Sequence, residues 1–180
     1  MTGTQVRQTH IEAADGGKIR VWWSPGRSDG PLIWYVHGFQ SDGTGTKASV
    51  LCELAARAGM GFVSADFRGH GGSTPTHQEG PLQGLCHETL LDDLGAVRKF
   101  AATWHQGPRI LLGSSMGGYS ASWFAAEHPE AVQGLVLVAP AFRFGSTILG
   151  RIPGLTAEAW RSAGSVEYRG RSEEHTSELQ

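Results

Sequence analysis

The sequence predicts an α/β fold: a mostly parallel sheet with helices on both faces and an antiparallel hairpin at its N-terminal edge. Three observations predict it. Short, continuous apolar runs such as Leu32-Ile33-Trp34-Tyr35-Val36 read as strands covered on both faces. These runs alternate with segments of helical period, the signature of right-handed βαβ units. Before them, two alternating segments flank Asp15-Gly16-Gly17, a strong hairpin signal.

In chain order, residues 6–14 and 18–23 form the hairpin, and residues 32–36 the first buried strand. A Gly/Ser/Asp/Thr loop follows, then a helix with Thr46 as its N-cap and residues 47–58 as its body. Residues 61–65 make the next strand, ending at Asp66. A Gly/Pro-rich stretch over 68–84 leads to a helix over 88–104, with Leu91, Leu94, Val97 and Ala101 on one face. Residues 109–112 form a strand, 116–127 a helix and 134–139 a sixth strand. Thr156 caps a short helix over 156–162.

Composition narrows the function. The chain has 180 residues, within the usual span of one domain, and no internal repeat. With 39% hydrophobic and 18% charged residues it can bury a core. A net charge of −2 and a pI near 6.4 do not mark a nucleic-acid binder. Cys52 and Cys86 are too few for a disulfide framework or a zinc site, so no metal is expected. The polar N-terminus lacks a secretory h-region, and no apolar run reaches the ~20 residues of a membrane helix. The expectation is a cytoplasmic protein with no membrane span, no nucleic-acid partner and no cofactor; oligomeric state is not readable.

The chemistry lies in Gly113-Ser114-Ser115-Met116-Gly117, which fits G-x-S-x-G in one register, since Leu112 blocks the alternative. A serine between glycines is commonly only a turn. Here an apolar strand precedes it and a helix follows, the context of a nucleophile on a sharp strand-to-helix elbow. Gly113 and Gly117 give the room such a turn needs. The Met116 N–H lies among the donors of a helix start, where a tetrahedral oxyanion would be stabilised. His37-Gly38-Phe39 follows the first buried strand; Gly38 permits close backbone approach, and the Phe39 N–H is the second expected donor. Phosphate loops are excluded: Thr44 stands where a P-loop requires lysine, and Thr74 breaks the dinucleotide fingerprint.

On these residues the chain resembles the α/β-hydrolase superfamily from residue 6 to about 142. The landmarks are His37-Gly38-Phe39, Asp66-Phe67-Arg68-Gly69-His70-Gly71-Gly72-Ser73, Gly113 to Gly118, and the strand ending Val138-Ala139-Pro140. Gly38-Phe39-Gln40-Ser41-Asp42 with Gly45-Thr46-Lys47-Ala48 further resembles the small serine esterase and acyl-protein thioesterase branch. The resemblance implies a serine hydrolase acting on esters or thioesters through an acyl-enzyme on Ser115. A non-catalytic binding protein of the same fold and an acyltransferase using the same serine are the alternatives. His37 and His70 are expected to support their loops, Asp92 and Asp93 to face solvent, and His128 to end a helix.

The resemblance also implies an acid and then a histidine downstream of the serine. No aspartate follows Ser115, and the only later histidines are His128 and His175. Glu158 or Glu167 with His175 satisfies the order, but no strand separates them. The family usually has eight strands against the six counted here, so the triad Asp and His are expected outside this chain. Residues 1–141 read as the hydrolase core and 142–170 as the start of a lid or following helix. Residues 171–180 read as a non-native tail, since one back-translation reproduces a common sequencing-library adapter. The chain as written is therefore expected to be a truncated, inactive fragment.

Overall fold

The structure, a computed structural model, describes residues 6–74, 84–164, 166–169 and 176–179. Six strands form one sheet: β1 (Arg7–Glu12), β2 (Lys18–Ser24), β3 (Leu32–Val36), β4 (Gly61–Ala65), β5 (Arg109–Ser114) and β6 (Gly134–Val138), in spatial order β1-β2-β4-β3-β5-β6. The hairpin β1–β2 and the pair β2–β4 are antiparallel, while β4, β3, β5 and β6 run parallel. The predicted hairpin turn is closed by the Gly17 N–H donating to Asp15 Oδ1 at 3.0 Å.

Burial explains the uninterrupted apolar run of β3, whose five residues are all buried. Leu32, Trp34 and Val36 join the larger core, with α2 (His87–Ala102) and α3 (Met116–Glu127). Ile33 and Tyr35 join a second core under α1 (Thr46–Arg57). Period-2 alternation thus sends successive side chains into opposite layers. Trp34 meets Phe124 of α3 edge to face, with centroids 5.4 Å apart, a geometry that adds about 1 kcal/mol to the burial itself.

The helix boundaries differ in detail from expectation. Gly45, not Thr46, is the N-cap of α1, and no side chain caps it. Cys86 caps α2 with Thr89 as its reciprocal partner, Cys86 N–H donating to Thr89 Oγ1 at 3.0 Å. A helix α4 (Phe144–Leu149) was not foreseen; α5 (Ala157–Ala163) was, with Thr156 Oγ1 accepting the Ala159 N–H at 3.0 Å. Among the described residues, β7 (Val166–Arg169) and β8 (Thr176–Leu179) pair with each other as a separate two-stranded sheet. The edge strand β6 leaves Leu135, Val136 and Val138 about 40% exposed. No helix among the described residues is long and apolar enough to cross a membrane.

Candidate active site

The chain passes from β3 through α1 to β4 on one side and returns through α2 to β5 on the other. Strands β3 and β5 are neighbours, with Val36 opposite Gly113. Their carboxyl ends therefore meet where the winding reverses, the place where open α/β sheets bind ligands. His37-Gly38-Phe39 leaves one end and Ser115 the other.

Ser115 sits between β5 and α3 with φ 55° and ψ −118°. This left-handed backbone is costly for a residue with a Cβ, about 1–3 kcal/mol, and clusters at functional sites. Three hydrogen bonds hold it. The Ser115 N–H donates to Val138 O at 3.0 Å, and Ser115 O accepts from Tyr119 at 3.1 Å and Ala141 at 2.9 Å. The serine is thus pinned to the end of β6 as well as to its own helix.

The glycines allow this packing by absence of side chain. A Cβ on Gly117 would lie 2.3 Å from the carbonyl oxygens of both Val36 and His37, and one on Gly113 would lie 2.3 Å from Gly117 O. At Gly38 a Cβ would approach Ser115 Cβ to 3.1 Å and lie 3.7 Å from its Oγ. The His-Gly loop and the serine are in direct apposition. Helix geometry leaves the Met116 N–H, at the first position of α3, without an intrahelical acceptor. The Phe39 ring packs on Phe144 and His70, at 5.4 and 5.8 Å between centroids.

His37 is fully buried. Its Nε2 accepts the Phe67 N–H at 3.0 Å and its Nδ1 lies 2.7 Å from Gly38 O. Burial pushes its pKa down to about 4, so the ring is neutral at pH 7. His70, centroid 5.2 Å from His37, is also pushed down to about 4, by burial and by that neighbour. His70 is buried and packs against the Phe39 ring, 5.8 Å away between centroids.

Two buried carboxylates anchor the surrounding loops, and sequence reasoning missed both. Asp66, fully buried at the end of β4, accepts the Gly43 N–H at 2.7 Å, the Gly72 N–H at 2.7 Å and Arg20 Nε at 3.0 Å. It thereby ties the loops after β3 and β4 to β2. Asp93 does not face solvent as expected; it is 3% exposed and receives the Arg68 N–H at 2.8 Å and Arg68 Nε at 2.5 Å. The α2 period does place 93 beside Leu90, Leu94 and Val97, the available signal. Asp92 is exposed, and His128 ends α3, both as expected.

None of this places a base on the serine. His37 is committed to Phe67 and Gly38, and His87 Nδ1 lies 3.0 Å from Tyr119 Oη. Residues 170–175, which include His175, lie outside the described residues. A cavity of about 350 Å³ opens beside α3, between the start of α2 and residues 142–146, lined by Leu85, Leu90, Tyr119, Phe142, Phe144 and Trp160.

Sheet order, the helices on both faces and the strand-to-helix elbow define an α/β-hydrolase fold. The chain belongs to the serine aminopeptidase S33 family, which matches residues 30–174. It is similar to human mitochondrial palmitoyl-protein thioesterase ABHD10, 33% identical over 113 residues, covering 62% of this chain and 34% of the relative. It is also similar to a monoacylglycerol lipase from Mycolicibacterium smegmatis, 30% identical over 143 residues, covering 77% of this chain and 48% of the relative. Mouse α/β-hydrolase domain-containing protein 10 shares the fold, with a TM-score of 0.72 at 24% identity over 92% of this chain and 62% of that one. The chain spans about a third of the length of the first of these relatives.

Proposed function

We propose that this chain carries the nucleophile half of a hydrolase that cleaves carboxylic esters or thioesters through an acyl-enzyme on Ser115. The observation that carries the reading is the left-handed Ser115 backbone, held against Gly38 at the mouth of the β3–β5 crevice. In this reading Ser115 Oγ attacks the acyl carbon while a base takes its proton and passes it to the leaving alkoxide or thiolate, and water then cleaves the acyl-enzyme to the acid and free Ser115. The backbone N–H groups of Met116 and Phe39 hold the oxyanion. The cavity beside Tyr119, lined by apolar side chains together with His87, Arg143 and Ser146, takes the acyl group. Relatives named as a thioesterase and a lipase support an ester or thioester bond.

A serine needs a base, and the base an orienting carboxylate. We propose that both come from sequence beyond this chain, residues 142–170 being the beginning of a lid and 171–180 a foreign tail. Reaction of the gene's full-length product with a fluorophosphonate tests the assignment. One phosphonyl group on Ser115 supports it; absence of labelling refutes it in favour of a binding protein, and labelling elsewhere refutes it in favour of another nucleophile. Transfer of the acyl group to an added alcohol in preference to water would identify an acyltransferase instead.

A further inference from the structure

We propose that Trp160 sets the length of acyl chain this site accepts, by standing between the cavity beside Tyr119 and a second cavity beyond it. The proposal rests on the first cavity being the acyl site of Ser115. The second cavity, about 470 Å³, lies between α4 and α5, where Leu149, Ala157 and Arg161 line it. It shares three lining residues with the first: Gly145, Ser146 and Trp160. These three therefore form the partition. A Cβ on Gly145 would meet nothing within 4 Å, and Ser146 is small and exposed. Only the indole of Trp160 has the bulk to keep the two spaces apart.

The helix that follows the nucleophile orders the two cavities along an acyl chain. Tyr119, one turn after Ser115 on α3, lines the first cavity, and its N–H donates to Ser115 O at 3.1 Å. No described residue of α2 or α3 lines the second. A chain leaving the acyl carbon thus fills the first space before it reaches Trp160. The indole is held in place by its helix and by the core: Thr156 caps α5 through the Ala159 N–H, and Trp160 packs against the main core cluster, as Phe144 does. The first cavity, about 350 Å³, sits near the small end of the roughly 300–1,000 Å³ of ligand pockets. Joined to the second it holds a much longer chain. Burying one more methylene is worth about 4-fold, whereas a methylene without room is rejected by about 10-fold or more. A profile of activity against chain length should therefore break where the chain meets the indole.

The test is kcat/KM of the full-length gene product on p-nitrophenyl esters from acetate to palmitate. In the wild type kcat/KM is expected to climb by up to about 4-fold per methylene and then to break. Trp160→Ala is expected to move the break to longer chains, and Trp160→Phe, which keeps a ring on the core, to move it part of the way. Ala157 lines the second cavity alone. Ala157→Phe should leave the wild-type break where it is, but return the break towards that position when added to Trp160→Ala. Each break is read within one variant, so a lower folded fraction scales every ester equally and does not shift it. A wild-type profile without a break, a break unmoved in both Trp160 variants, or one that Ala157→Phe fails to restore in the Trp160→Ala background overturns the proposal. Ester turnover that persists in Ser115→Ala overturns the acyl-enzyme reading and the proposal with it. An unmoved break with turnover that depends on Ser115 overturns the Trp160 assignment alone.

Discussion

The Asp66 carboxylate and the Gly43 amide, 2.7 Å apart, join the end of β4 to the loop that carries Phe39. With Gly72 and Arg20 on the same carboxylate, one buried charge organises the loops beside Ser115. Removing it leaves two amides and part of a guanidinium without their acceptor. Asp66→Ala is expected to cost about 3–5 kcal/mol. Urea unfolding checks this, and a loss under about 1 kcal/mol would show that Asp66 is not the anchor.

The glycines make a paired prediction. In Gly117→Ala the new methyl would meet two backbone carbonyls, which cannot rotate away. A loss of about 3 kcal/mol or more is expected, at or above the upper end of ordinary overpacking. Gly95, within α2, has nothing within 4 Å of its missing Cβ. Gly95→Ala should therefore stabilise by about 0.5–1 kcal/mol. Thermal melts of both variants would contradict the packing account if they shifted in the same direction.

Acid should act through the buried histidine pair. His70 is neutral in the folded chain down to about pH 4 but ordinarily titrates near 6.5. The unfolded state therefore binds the proton first, and stability falls as pH drops from 6.5 towards 4. His70→Leu removes this component. Between those limits the wild type should lose about 3 kcal/mol more than the variant. Parallel stability–pH curves would show that His70 is not held neutral by the fold.

Much of this was legible in the sequence, for identifiable reasons. Strand β3 announced itself because both its faces are buried, and the elbow because Gly113, Ser115 and Gly117 have a fixed spacing set by sterics. Thr156 announced α5 through a local cap. Other features depended on partners remote in sequence. Asp93 reads as an exposed helix residue until Arg68, 25 positions away, is brought against it. Asp66 opens one of the sequence landmarks, but its anchoring role becomes visible only when Gly43, Gly72 and Arg20 converge on it. The N-cap of α1 fell to Gly45 because no side chain caps that helix, which leaves Thr46 no advantage.

The central claim is that Ser115 becomes covalently acylated. Rapid quenching of the full-length gene product with a p-nitrophenyl ester, followed by mass spectrometry of the peptide holding residue 115, tests it most directly. The account predicts a burst of nitrophenolate stoichiometric with protein, an acyl group on Ser115, and neither in Ser115→Ala. Ester turnover that persists in Ser115→Ala, with no acylated peptide, would contradict it.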